Sequence, residues 1–88
     1  MEKIYTILKA LADKTRLKIA VFLGNRQEVS CKELSKNFKL SQPTLSHHFG
    51  KLINSGVILE RKEGVNHYYR INHKLLKECG LDLKTIKV

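Results

Sequence analysis

The hydrophobic pattern of this chain changes from a helical period to that of strands at Gly56, and it returns to a helical period after Asn72. Before Gly56, apolar side chains recur at the three- and four-residue spacing of amphipathic helices. After it they alternate along two short segments, 57–62 and 66–71, which are joined by a three-residue turn that contains a glycine. A chain of 88 residues can build only one hydrophobic core. The pattern therefore predicts one mainly α-helical domain over residues 1–88 with a small β-hairpin.

Side chains that cap helices precede four of the helical segments, namely Asp13, Ser30, Ser41 and Asn72. Their oxygen atoms can accept hydrogen bonds from the free amides of a first helical turn. The predicted helices cover about residues 2–12, 14–23, 31–38, 42–55 and 73–80. The predicted fold is therefore four helices, a two-stranded hairpin and a last helix.

The formal net charge of +9 favours a polyanionic partner, either nucleic acid or an anionic membrane surface. No acidic residue occurs between Glu33 and Glu60, whereas Lys36, Lys39 and Lys51 do. This stretch is a candidate contact surface for a polyanion. The alternative is that exposed lysines serve solubility alone.

The sequence has none of the features that mark a membrane protein, a secreted protein or an enzyme. No apolar run approaches the roughly 18–20 residues that span a bilayer, and the N-terminal segment does not resemble a secretion signal. We therefore expect a cytoplasmic protein with no membrane partner. There is no glycine-rich phosphate loop, no set of spaced metal ligands, and no nucleophile with an evident base. We expect neither an enzyme nor a cofactor or metal site.

The 42–55 helix is predicted to have an apolar side and a polar side without acids. Leu45, Phe49 and Leu52 fall on the apolar side. Glutamine, serine and threonine side chains can exchange hydrogen bonds with base edges, and lysine can contact a phosphate. The candidate DNA contacts of this helix and its cap are Ser41, Gln42, Pro43, Thr44, Ser46, His47 and Lys51.

The hairpin carries a cluster of cations near its turn. Arg61 and Lys62 lie on the first predicted strand and His67 on the second, so we expect these three to contact phosphates or the minor groove. Tyr69 and Ile71 alternate with exposed neighbours and are expected to attach the hairpin to the core.

Two stretches, residues 10–17 (ALADKTRL) and 40–57 (LSQPTLSHHFGKLINSGV), resemble the ArsR type of bacterial winged-helix repressor. The resemblance runs from about Ile4 to Ile71 and includes the basic hairpin. It implies a winged helix-turn-helix fold, in which the hairpin is the wing. It also implies a sequence-specific regulator of transcription.

The resemblance further implies a homodimer built from the first and last helices. The paired 42–55 helices would enter successive major grooves of an imperfect palindrome in operator DNA, and the wing of residues 57–71 would assist. The residues expected at the dimer interface are Ile4, Leu8, Leu11, Leu75, Leu76 and Cys79. Members usually repress their own operon and release DNA when an effector binds. The sequence does not identify an effector.

Two alternatives to this prediction stay open. Arsenic and cadmium sensors of this type carry a Cys-x-Cys pair on the third helix, where this chain has Cys31, Lys32 and Glu33. Some relatives sense oxidants through two cysteines, so a thiol-based repressor that uses Cys31 and Cys79 is one alternative. The other is a winged helix that binds a protein and has no specific affinity for DNA.

Overall fold

The computed structural model describes residues 1–86 as five helices, three strands and one turn of 3₁₀ helix. The elements in chain order are α1 Glu2–Leu11, α2 Lys14–Gly24, β1 Val29–Ser30, α3 Cys31–Phe38, α4 Gln42–Ser55, β2 Ile58–Glu63, β3 Asn66–Ile71, α5 His73–Glu78 and the 3₁₀ helix Leu83–Thr85. The bounds of α3, α4 and β3 match the predicted ones. The predicted fold class is confirmed.

The predicted helix caps are all formed. The Asp13 carboxylate accepts from the Arg16 amide at 3.0 Å, and the Ser30 hydroxyl accepts from the Glu33 amide at 3.1 Å. Ser41 and Asn72 cap α4 and α5 in the same way. These contacts satisfy amides that have no partner inside their own helix, so each helix begins where the sequence predicted.

Gly56 ends α4 and is required there for two reasons. Its φ of +85° lies in the left-handed region, which side chains with a Cβ rarely adopt. A Cβ atom at this position would also lie 2.9 Å from a methyl carbon of Leu75. The change of period that marks Gly56 in the sequence is therefore a sharp turn from α4 into the hairpin.

The sheet has a third strand that the sequence did not predict. β1 pairs antiparallel with β3, with Val29 opposite Tyr69 and Ser30 opposite Tyr68, and the strand order is β1-β3-β2. The sequence predicted no element between the 14–23 and 31–38 helices. β1 has only two residues, too few for alternation to be visible in the sequence.

The C-terminal segment differs most from the prediction. A helix over residues 73–80 was expected, but α5 ends at Glu78 and the chain turns at Gly80, where φ is +76°. Leu83 then packs against Gly24 of α2 and is almost completely buried. The apolar residue that would have extended the predicted helix instead closes one end of the core.

The buried apolar side chains form one cluster to which every helix and strand contributes. Ile7, Ile19, Leu34, Leu45 and Leu52 are completely buried within it. Tyr69 and Ile71 attach the hairpin to this cluster, as predicted. Within residues 1–86, no helix has both the length and the apolar character needed to cross a bilayer.

Candidate DNA-binding surface

Helix α4 has one face in the core and one in solvent. Leu45, Phe49 and Leu52 are buried, and the Phe49 ring packs on the Tyr69 ring with centroids 4.3 Å apart. This contact joins α4 to β3 and fixes the helix relative to the hairpin. The exposed residues at the other face, here named the reading face, are Gln42, Pro43, Thr44, Ser46, His47 and Lys51.

The reading face carries no carboxylate, but its polar atoms are not equally available. The Ser41 hydroxyl accepts from the Thr44 amide at 3.4 Å and donates to the Thr44 hydroxyl at 2.9 Å. Some of the hydrogen-bonding capacity of Ser41 and Thr44 is therefore used within the helix cap. Gln42, Ser46 and His47 are exposed and take no part in this cap.

Gln42 has a contact that its sequence position does not suggest. The Cys31 thiol at the start of α3 donates to the Gln42 side-chain oxygen at a sulfur–oxygen distance of 3.6 Å. This contact uses one of the two lone pairs of the oxygen, so the Gln42 amide can still accept one hydrogen bond and donate two. Burial raises the pKa of the Cys31 thiol, so it is kept in the protonated, donating form.

The adjacent histidines of α4 lie in different environments. His47 is exposed on the reading face. His48 is half-buried, and its Nδ1 atom accepts from an Arg16 guanidinium nitrogen at 3.4 Å. The two side chains therefore lie on different sides of α4.

The hairpin of β2 and β3, here named the wing, separates its cations onto two faces. Residues directly opposite in an antiparallel pair point to the same side. Lys62 is opposite His67, and both share the inner face of the wing with Glu60 and Tyr69, which border α4. Arg61 precedes Lys62 on β2, so its side chain points to the opposite, outer face. The structure therefore brings Lys62 and His67 toward the reading face and places Arg61 away from it.

Arg61 is held by two carboxylates on the outer face. Its guanidinium donates to Glu28 at 2.8 and 3.1 Å and to Glu63 at 2.6 Å, and it stacks on the Tyr68 ring. The hydrogen bonds to Glu28 and Glu63 raise the pKa of Arg61 further above its usual range. The same contact with Arg61 lowers the pKa of Glu28. Arg61 was predicted to contact DNA, and in the free protein three of its five N–H donors are already bound to carboxylates.

A second polar cluster lies between the wing and α4. His67 Nδ1 lies 2.9 Å from a Glu60 oxygen, and the Tyr69 hydroxyl donates to the same oxygen at 3.1 Å. The His67 hydrogen bond, followed by that of Tyr69, lowers the pKa of Glu60. These residues line a cleft of about 270 Å³ that also includes Cys31 and Gln42. Sequence reasoning missed Glu60 because its partners are on another strand.

The residues predicted at a dimer interface differ in exposure. Leu8 is 49% exposed, and Ile4, Leu75 and Cys79 are half-buried. Two others, Leu11 and Leu76, are buried in the core of the protomer and leave almost no area for a partner.

Helix α1 presents a further exposed apolar side chain, Tyr5, which is 59% exposed beside Leu8. An ion pair of 3.8 Å between Lys3 and Glu78 places α1 next to the end of α5. The exposed apolar side chains of α1 and the half-buried ones of α5 therefore belong to one side of the molecule.

The described chain, residues 1–86, contains no group of three or more His, Cys, Asp or Glu side chains arranged to hold a metal ion. Cys31 and Cys79 are both free thiols and half-buried.

Comparison with known proteins assigns the family. The model of the family described as bacterial regulatory protein, arsR family, matches residues 13–59. The chain belongs to this family. It is 38% identical over 85 residues to the arsenical resistance operon repressor of Staphylococcus aureus, a match that covers 97% of this chain and 81% of that protein.

Solved structures of arsR-family and similar regulators share the fold. HlyU from Vibrio cholerae superposes with a TM-score of 0.78 at 32% identity, over 90% of this chain and 86% of that one. The homodimeric winged helix-turn-helix DNA-binding domain of a possible ArsR-family regulator from Mycobacterium bovis gives 0.77 at 25% identity, over 90% and 73%. The predicted resemblance is confirmed, and the chain is a winged helix-turn-helix, DNA-binding repressor of transcription.

Proposed function

We propose that this protein is a homodimeric repressor that inserts α4 into the major groove of operator DNA and rests the inner face of the wing on the adjacent backbone. The observation that carries the proposal is the reading face, an exposed, acid-free surface on a helix whose other side is fixed in the core. Such a helix can enter the groove as a rigid unit.

Each residue of the surface has a proposed role set by its chemistry. Gln42, Ser46 and His47 would read base edges, because they are exposed and carry hydrogen-bond donors and acceptors. Lys51 and Lys62 would contact phosphates. The remaining contacts proposed from the sequence are Ser41, Pro43, Thr44 and His67, with Ser41 and Thr44 acting mainly through the helix cap.

Arg61 takes a different role in this proposal. Its bonds to Glu28 and Glu63 join the residue before β1 to the last residue of β2, on the outer face of the wing. We assign it to positioning the wing. A direct contact with phosphate would require it to exchange carboxylate partners for phosphate.

The proposed dimer uses the exposed apolar side chains of α1. Tyr5 and Leu8 are three residues apart and therefore lie on one helical stripe, which Ile4 borders. Burying this stripe against a second copy would remove apolar surface from water. Leu75 and Cys79 would contribute from α5. The neighbour from Mycobacterium bovis is described as homodimeric, which supports a homodimer here.

A two-fold dimer would place two copies of α4 about one helical turn of DNA apart, so the operator would be an imperfect palindrome. Relatives in this family regulate transcription, and we propose no catalytic activity, cofactor or membrane partner for this chain. It would act in the cytoplasm, where its DNA is.

The raised pKa of Cys31 disfavours the thiolate that a thiol sensor needs, so we rank that alternative below an effector that binds without thiol chemistry.

Fluorescence anisotropy tests specific DNA binding. The purified protein is titrated into labelled duplex from upstream of its own gene at about 150 mM salt, with unlabelled scrambled duplex as competitor. We expect saturable binding that survives the scrambled competitor. Affinity should fall by about 10³ to 10⁵ between 50 and 200 mM salt if six to ten phosphates are contacted. Equal loss to specific and scrambled competitors would favour the protein-binding alternative.

Sedimentation velocity tests the dimer. Leu8→Glu places a charge in the proposed interface and should convert the dimer to a monomer that keeps its circular dichroism spectrum. Val65→Glu is the matched control, because Val65 is 92% exposed at the tip of the wing and lies outside the proposed interface. A Leu8→Glu protein that remains dimeric would exclude α1 from the interface.

A further inference from the structure

A cleft between α1, the start of α2 and the end of α4 carries three cations and is separate from the inner face of the wing. Its lining includes Lys9 of α1, Arg16 of α2 and Lys51 of α4, together with Thr6, Asn54 and Ser55. We propose that this cleft binds an oxyanion, the phosphate or carboxylate group of a small ligand or of the DNA backbone. Its volume of about 320 Å³ is at the lower end of the range for small-molecule sites.

Arg16 is the fixed member of the cleft. Its Nε atom donates to the Ala10 carbonyl at 2.6 Å, and NH1 lies 3.4 Å from the accepting Nδ1 of His48. Neither partner is a carboxylate. These two contacts hold the guanidinium half-buried at the floor of the cleft and leave NH2 donors for a further acceptor.

The acid nearest to Arg16 does not occupy the cleft. Asp13 accepts from the Arg16 backbone amide at 3.0 Å and lies 3.9 Å from His48 Nδ1. The bond to that amide is the main cause of the lowered pKa of Asp13, with the Arg16 charge a smaller one. Asp13 therefore offsets part of the Arg16 charge from the side, and no carboxylate lines the cleft itself.

Lys9 and Lys51 complete the charge. Both are exposed, and neither forms an ion pair within residues 1–86. Three positive groups on three different helices repel one another, and an anion between them would relieve that repulsion. Thr6 and Asn54 also line the cleft, and their hydroxyl and amide groups are neutral hydrogen-bond donors. The Ser55 hydroxyl already donates to the Leu52 carbonyl at 2.9 Å, so Ser55 only forms part of the wall.

The cleft is coupled to the reading face through Lys51. Lys51 follows His47 by four residues and therefore lies on the same stripe of α4, so an anion that binds Lys51 competes with any DNA phosphate for it. This coupling rests on the proposed function. The oxyanion site itself does not, because it depends only on the cations of the cleft.

The first test is a ¹H–¹⁵N NMR titration of the full chain with inorganic phosphate, matched in ionic strength with sodium chloride. We expect saturable shifts confined to the amides around Thr6, Lys9, Arg16 and Lys51. Lys9→Gln should weaken phosphate binding by about three- to tenfold, since it removes one charge-assisted contact. Lys18→Gln makes the same charge change on the exposed side of α2 and should leave binding unchanged. Shifts that grow linearly without saturation, or equal weakening in both variants, would overturn the site.

The second test identifies the source of the oxyanion by anisotropy with operator duplex. If the cleft takes a backbone phosphate, Lys9→Gln should reduce the slope of log affinity against log salt by about 0.9. If it takes a free ligand, Lys9→Gln should leave that slope unchanged while phosphate binding weakens. Both outcomes support the oxyanion site. A wild-type protein that binds phosphate but no specific duplex would refute the proposed function and leave the cleft intact.

Discussion

The reading face and the wing carry the same kinds of polar and cationic side chains, but these side chains differ in whether carboxylates bind them. On the reading face, Gln42, His47 and Lys51 are exposed, and none has a carboxylate partner within residues 1–86. On the wing, Arg61 is bound by Glu28 and Glu63, and His67 is bound by Glu60. A count of cations along the chain therefore overstates what the wing offers to DNA.

The difference follows from where the acids lie. The stretch between Glu33 and Glu60 has no acid, so α4 cannot form an ion pair within that stretch. The wing is flanked by acids on its own strands and on the segment before β1. We infer that α4 supplies specificity and that the wing supplies a few backbone contacts, chiefly through Lys62.

The largest expected effect in this comparison is that of Gln42→Ala. Loss of one bidentate base contact costs about 1–3 kcal/mol, so specific affinity should fall roughly 10- to 100-fold. Binding to scrambled duplex should not change, because Gln42 carries no charge. Anisotropy with both duplexes measures the two affinities.

Gln27→Ala is the matched control for Gln42→Ala, since Gln27 is an exposed glutamine in the segment before β1. It should bind like wild type. If the two alanine variants lose specific affinity equally, α4 does not read bases through Gln42.

The sequence predicted the secondary-structure elements better than the side-chain contacts between them. Caps at Ser30 and Ser41 and the turn at Gly56 depend on neighbouring residues, so the bounds of α3 and α4 could be predicted to the residue. The bond between Arg61 and Glu28 joins residues 33 apart in sequence and depends on β1, a strand of two residues. No local pattern records such a pairing.

For the same reason, the sequence could not rank the predicted interface residues by exposure. Leu11 and Leu76 fall on apolar helical stripes, as Leu8 does, and a stripe does not say whether its residues face the core or a partner. Tertiary packing decides this. It buries Leu11 and Leu76 and leaves Leu8 in solvent.

Gly50 of α4 offers a test of how closely DNA approaches this helix. A Cβ built at Gly50 meets no atom within 4 Å, so Gly50→Ala should stabilise the protein by about 0.5–1 kcal/mol in urea unfolding. If DNA approaches closely at this point, the added methyl group should at the same time weaken specific binding. Gly64→Ala also meets open space, but φ there is +63°, so this control should destabilise the protein. A Gly50→Ala protein with unchanged affinity would place the DNA farther from α4.

Arg61 and Lys62 are neighbouring cations of β2 with different expected effects on DNA binding. Lys62→Gln should reduce the salt slope of DNA binding by about 0.9, because it removes one phosphate contact. Arg61→Gln should leave the slope nearly unchanged, since its charge is already paired with Glu28 and Glu63. Anisotropy at four salt concentrations gives both slopes. The opposite order would mean that DNA displaces the carboxylates from Arg61, and the assignment of Arg61 to positioning would be wrong.

The smallest expected effect concerns Glu60 and pH. The His67 and Tyr69 hydrogen bonds lower the pKa of Glu60 below its usual 4.5 in the folded protein. A carboxylate with a lowered folded pKa adds stability above the unfolded pKa and loses it as the pH falls through the folded value. Glu60→Gln should therefore be less stable than wild type at pH 7 and equally stable well below pH 4.5. Urea unfolding between pH 7 and pH 3 measures this, and we expect a flatter profile for the variant.

A double-mutant cycle assigns that pH effect to the contact rather than to the helix-facing position of Glu60. Glu60→Gln, His67→Ala and the double variant should be non-additive at pH 7 and closer to additive at pH 3, because protonation of the carboxylate weakens the contact. The effect is modest because the Glu60 side chain is still 23% exposed to solvent. Additive behaviour at both pH values would mean that His67 does not hold Glu60, and His67 would then be as free as the reading face to contact DNA.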